Sequence, residues 1–174
     1  RKGALLSSEK KEKMRQIDRE LSVLSPRFSK NVLDATNDFE LWIEDEKELE
    51  GLPQSNLNIA KEAAKLKKRE NAWLFSLQMP SYFPFMKYAK NRLLRKKMYM
   101  AATTKCTSGK YDNRENIKNI IRLKFEKAQL LGYDTYADFV LEDRMAGNIS
   151  KVNSFIQDLI DPSIISAKND INML

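Results

Sequence analysis

Histidine is absent from this 174-residue chain, and cysteine occurs once, at Cys106. Without an imidazole, neither Ser-His-Asp nor Cys-His activation of a nucleophile can be assembled. His-based zinc sites go with it, and one thiolate cannot build a cysteine zinc site. An all-carboxylate site for Mg²⁺ or Ca²⁺ is left open by this argument. Cys106 has no partner for an internal disulfide, which favours a reducing compartment. Lacking a histidine to activate it, it reads as a buried or incidental thiol. Glycine and proline number five each, so helix breakers are scarce and long helices are permitted. No apolar run approaches the roughly 20 residues that span a bilayer. The opening RKGALLSSEKKEK has basic residues but no apolar stretch after them, so it is not a signal peptide. It does not begin with Met, and the chain is expected to be a piece of a longer product.

What is present suits a soluble, helix-rich protein: 42% hydrophobic and 32% charged residues, a net charge of +7 and a pI near 9.4. From about Ala4 to Ala35, Met14, Ile17, Leu21, Leu24 and Phe28 recur at spacings of three and four and mark one face of a long helix. Pro26 is expected to kink or break it. DFELWIED (38–45) alternates Phe39, Leu41 and Ile43 against Glu40, Trp42 and Glu44, as a half-buried strand does. EDEKELEGLP predicts a short helical turn closed by Gly51 and Pro53. Residues 55–70 predict a helix with Ser55 as N-cap and Ile59, Ala63 and Leu66 inward. AWLFSLQ (72–78) alternates Trp73, Phe75 and Leu77 and is the natural partner of the first strand. A helix through about Thr104 follows Pro80 and Pro84, and TSGKYDN (107–113) is a loop. A second long helix from Asp112 to Leu131 carries Ile117, Ile120, Ile121, Ala128 and Leu131 inward, with Gly132 past its end. Residues 134–146 predict a shorter helix capped by Asp134. The last begins with Ser150 as cap and a face of Val152, Phe155, Ile156 and Leu159, with a kink at Pro162. The fold class is therefore mostly α, a bundle-like arrangement with one small two-stranded element at about 39–44 and 72–78.

From Asn71 to Tyr111 there is no Asp or Glu, while the window holds Lys87, Lys90, Arg92, Arg95, Lys96, Lys97, Lys105 and Lys110. Tyr82, Phe83, Phe85, Tyr88 and Tyr99 lie among them. Cations interleaved with rings are the ingredients of a single-strand nucleic-acid groove. Tyr88, Arg92, Arg95 and Tyr99 also recur at helical spacing, so the rings can pack while the cations line a solvated face. The acidic run at 38–50 is available to pair with that face.

Three stretches resemble one family, in order along the chain. LQMPSYFPFMKYAKNRLLRKKMYMA contains Pro80-Ser81-Tyr82, Pro84, Tyr88-Ala89, Asn91-Arg92, Arg95 and Tyr99. DNRENIKNIIRLKFEKAQLLGYDTYADFVLEDRMA spans Asp112 to Ala146 and includes Leu130-Leu131-Gly132-Tyr133 and Tyr136-Ala137-Asp138. LSPRFSKNVLDATNDFELWIEDEKELEGLP (24–53) precedes them. Together they are similar to the thimet oligopeptidase, oligopeptidase A and peptidyl-dipeptidase (dipeptidyl carboxypeptidase) family of zinc metallopeptidases, with the peptidyl-dipeptidase branch expected to be nearest. The resemblance covers roughly residues 20–160. It implies a helical enzyme with a deep channel for short peptides and an HExxH zinc helix. No such motif occurs here, and the carboxylates of EDEKELE and LEDRMA lack imidazoles beside them. No catalytic, cofactor-binding or metal residue is assigned in this chain, and zinc is expected only in the parent enzyme. Residues 1–174 are expected to form a single helical fragment upstream of the zinc-binding region, inert by itself and serving as scaffold or channel wall. Tyr82, Tyr88, Arg92 and Tyr99 are candidate wall residues, with a core or interhelix role the stronger expectation for each. The expected partners are short peptides and the remainder of the polypeptide, with no nucleic acid and no membrane, in the cytoplasm. The alternative is a stand-alone basic helical module that binds nucleic acid or a protein.

Overall fold

The computed structural model describes residues 3–173 and contains, among them, seven α-helices and one two-stranded sheet. In chain order these are α1 (Ser8–Asp38), β1 (Leu41–Ile43), α2 (Gln54–Leu66), β2 (Trp73–Phe75), α3 (Met79–Tyr88), α4 (Arg92–Thr104), α5 (Arg114–Leu131), α6 (Tyr136–Leu141) and α7 (Ile149–Asn172). The chain divides into two compact units, one of Arg1–Ser22 with Asn119–Leu174 and the other of Val23–Lys118.

The larger core lies in the Val23–Lys118 unit. β1 and β2 pair antiparallel with Leu41 opposite Phe75 and Ile43 opposite Trp73, as the two alternating stretches predict. Leu41, Ile43 and Phe75 point to one face of the ribbon and are buried there with Leu49, Leu52, Leu77, Phe85 and Met98. Phe75 and Phe85 meet edge to face, their centroids 4.8 Å apart. A one-turn 3₁₀ segment, Glu46–Leu49, follows β1 and is capped by the Asp45 side chain. Gly51 then takes φ +92°, and a Cβ there would lie 2.3 Å from the Tyr88 carbonyl oxygen. Only glycine lets these two backbones approach so closely.

Several expected details differ. α2 begins after Pro53 with no side-chain cap, so Ser55 is not its N-cap. Its buried face is Ala60 and Ala64 with Leu57 beside them, not Ile59, Ala63 and Leu66. Small residues let the helix lie close on β2, which leaves Ile59 and Leu66 exposed. The prolines of the basic stretch do not precede its helix. Pro80 sits in the first turn of α3, where its missing N–H costs nothing, and Pro84 lies inside. The interruption falls at Ala89–Asn91, where Asn91 caps α4 by accepting from the N–H groups of Leu93 and Leu94. Pro26 does not break α1, which runs on to Asp38.

In the other unit, α1 buries Met14 and Ile17, and α5 buries Leu123 and Ala128. Asp18 and Lys127 pair at 2.6 Å. α5 ends as expected on Gly132 at φ +87°, with Tyr133 N–H donating to the Ala128 carbonyl. α6 is capped by Thr135 rather than Asp134, in a reciprocal box with Asp138. α7 is capped by Asn148 rather than Ser150 and continues through Pro162. None of its described residues is buried; of the predicted face, Val152 is half-buried and Phe155, Ile156 and Leu159 are exposed, Phe155 by 63%.

Candidate functional site

The basic stretch of the Val23–Lys118 unit separates into residues that build and residues that face outward. Tyr82 is half-buried against the core and meets Phe83 edge to face. Its expected packing role holds. Tyr88 and Tyr99 are instead exposed, by 43% and 52%. The Lys87 ammonium lies 5.0 Å from the Tyr88 ring centroid. Arg95 is fixed from one end, its Nη1 donating to the carbonyls of Ala89 and, at 2.9 Å, Lys90. That bond ties the first turns of α4 to the end of α3.

Arg92, Arg95, Lys96 and Tyr99 follow one another on a single face of α4 and, with Met86 of α3, line a shallow cleft of about 340 Å³. The acidic run expected to neutralise this face reaches only its edge. Glu50 pairs with Lys90 at 2.6 Å and Glu48 accepts from Asn91 at 3.5 Å. Glu40 and Glu44 instead hold Lys67 and Arg69, at 3.0 and 2.8 Å. Lys67 and the Trp42 indole N–H, which both hydrogen-bond Glu40, keep its carboxyl below the usual range. A second groove, about 300 Å³, lies between α2, β2 and the start of α3 and is lined by Ile59, Ala63, Leu74 and Pro80 among others.

The motif quoted as DNR proves to be a structural clasp. Asp112 accepts from both the guanidinium and the backbone N–H of Arg114, which hold the Asp112 carboxyl below the usual carboxylate range. Asn113 is buried; its amide donates to the Phe28 carbonyl at 3.1 Å and its oxygen accepts from Asn31 at 2.9 Å. Asn116, also buried, donates to the Leu24 carbonyl at 3.1 Å and to the Asn113 oxygen. α5 thus grips α1 through polar side chains where Ile117 and Ile121 were expected to face inward; both are exposed. The preceding loop contributes too. Cys106, at φ +61°, donates its thiol to the Asn31 carbonyl at 3.4 Å, and burial pushes that thiol above its ordinary pKa. These asparagines gave no signal in the apolar pattern. The only sequence hint was their position at the start of a long helix.

The residues present do not fit a zinc ion. The sequence has no histidine and only one cysteine, and no group of three or more His, Cys, Asp or Glu among the described residues is arranged to hold a metal. No described helix is long and apolar enough to cross a membrane.

Comparison with known proteins gives the family. The family model of Peptidase family M3 matches residues 85–174. Organellar oligopeptidase A (chloroplastic/mitochondrial) of Arabidopsis thaliana is 42% identical over 99% of this chain and 22% of its own length. Oligopeptidase A of Haemophilus influenzae is 41% identical over 91% of the chain and 24% of its own length. Dipeptidyl carboxypeptidase of Escherichia coli is 25% identical over 97% of the chain and 25% of its own length. The chain therefore spans about a quarter of these relatives. The expected nearness to the peptidyl-dipeptidase branch is corrected, because identity to the oligopeptidase A relatives is much the higher. The stand-alone binding module is left without support. With the three motif segments in place and the similarity running from end to end, this chain belongs to peptidase family M3.

Proposed function

We propose that this chain is the scaffold and part of the channel wall of a metallopeptidase that hydrolyses short peptides, and that it is catalytically inert by itself. The observation that carries this reading is the 42% identity maintained over 99% of the chain to a relative named as an oligopeptidase, of which the chain spans 22%. The zinc chemistry expected of the family would then belong to residues outside this sequence, since none of its own fit the metal. The uncovered apolar face of α7 supports a further part of the reading, that the remainder of the polypeptide packs here. Short peptides are the proposed substrates of the whole protein. The cytoplasm is its proposed location, in keeping with a free thiol.

The test compares the 174-residue chain with the longer gene product. The longer protein is expected to cleave a panel of short peptides, to contain zinc, and to lose activity to a chelator. The chain alone is expected to show neither cleavage nor stoichiometric zinc. Hydrolysis by the chain alone would overturn the inert-scaffold reading. A longer protein that leaves every peptide intact would overturn the peptidase reading.

A further inference from the structure

The outer face of α4 carries charge that nothing within its own unit uses. Arg92 and Lys96 stand one helical turn apart, and neither has a carboxylate partner among the described residues. Like charges at this spacing oppose one another and destabilise the helix. The first turn of α4 has no acidic residue either, so the cations also sit at the unfavourable end of its dipole. Nearby carboxylates exist but stop one residue short, at Lys90 and Asn91. Arg95 lines the same cleft and is already fixed by backbone carbonyls, which lowers the entropy cost of using it. Tyr99 and Met86 supply an apolar wall beside the three cations.

We propose that the cleft of Met86, Arg92, Arg95, Lys96 and Tyr99 docks the acidic side chains of a peptide segment. This deepens, and rests on, the reading that the parent protein handles short peptides. Guanidinium groups match carboxylates with two parallel hydrogen bonds. Two free cations one turn apart, about 5–6 Å between Cβ atoms, suit two carboxylates spaced along an extended chain. The aliphatic stems of glutamates would lie against Met86 and the Tyr99 ring. A nucleic-acid strand fits less well: one ring lines the cleft, where a strand-binding groove offers successive stacking platforms.

The experiment uses the 174-residue chain and fluorescence anisotropy of a labelled, C-terminally amidated hexaglutamate. Saturable binding that weakens with added salt is expected. R92Q/K96Q should weaken it by at least about tenfold, the loss of two charge-assisted contacts. K10Q/K13Q on α1 removes the same charge elsewhere and should change it less than about twofold. Circular dichroism on both variants checks that the helices are intact. Absence of binding, or equal weakening by both variants, overturns the proposal. So does equal binding of a hexaglutamine peptide with a free C-terminus, which would mean that a terminal carboxylate is read instead. Tighter binding of a single-stranded oligothymidylate, lost in R92Q/K96Q, also overturns it. The peptidase reading is decided separately, by hydrolysis in the longer protein.

Discussion

Single residues carry contacts here that their neighbours cannot replace. Gly51 is the sharpest case, because both its φ of +92° and the 2.3 Å gap to the Tyr88 oxygen exclude a side chain. G51A is expected to cost about 2 kcal/mol or more from the backbone strain alone, read as a fall in the urea midpoint. Asn116 is a second case. Its amide satisfies the Leu24 carbonyl and the Asn113 oxygen, while its own oxygen, Oδ1, has no partner. N116A should destabilise by roughly 1–3 kcal/mol, since it strips donors from buried acceptors. N116D should be worse, because a carboxylate cannot donate to Leu24. Asp112 offers a titration test. Its folded pKa is lowered by Arg114, so the stability it contributes is present above the unfolded carboxylate pKa and lost as pH falls through the folded value. In R114Q the Asp112 carboxyl should titrate upward toward its ordinary range, as followed by NMR. A pKa unmoved by that substitution would refute the assignment of cause.

At the scale of elements, the sequence was most readable where side chains alternate and least where size and polarity disagree with burial. The strand pair was legible because Leu41, Ile43 and Phe75 are both apolar and at period two. The buried face of α2 was not, because Ala60 and Ala64 rank below Ile59 in hydrophobicity yet permit the closer approach. The α5 face was legible at Ala128, which is buried, but not at Ile117 and Ile121, for another reason: Asn113 and Asn116 are buried because α1 supplies carbonyls for them, a tertiary fact absent from any one segment's pattern. The basic face of α4 was legible as a face, but not which carboxylates would miss it. α1 shows how packing overrides propensity. A proline inside a helix costs about 3 kcal/mol, yet the helix spans Ser8–Asp38, with Met14 and Ile17 buried before Pro26 and the Phe28 carbonyl and Asn31 bonded to Asn113 after it. P26A should therefore raise stability by roughly 1–3 kcal/mol, restoring a donor to the Ser22 carbonyl. The check is the shift in thermal midpoint. A variant less stable than the parent would show that proline sets a bend the packing needs.

For the molecule as a whole, the largest unmet demand is apolar. α7 is 24 residues long, buries none of its described side chains and exposes Phe155, Ile156, Leu159, Ile160, Ile164 and Ile165. A helix of this kind gains most of its stability from packing one face, and a contiguous apolar stripe of this size calls for a cover. Since the relatives are about four times longer than the chain, the proposed cover is the remainder of the polypeptide. Two measurements separate this from self-association as the native state. The chain alone is expected to bind a hydrophobic dye and to sediment as concentration-dependent oligomers, and F155Q/L159Q should suppress both. In the longer protein the same two substitutions should instead cost roughly 3 kcal/mol or more, because there the side chains are in a core. Dye binding by the longer protein equal to that of the chain, with no loss of stability in F155Q/L159Q, would mean that the face stays open. α7 would then need an occupant from another molecule.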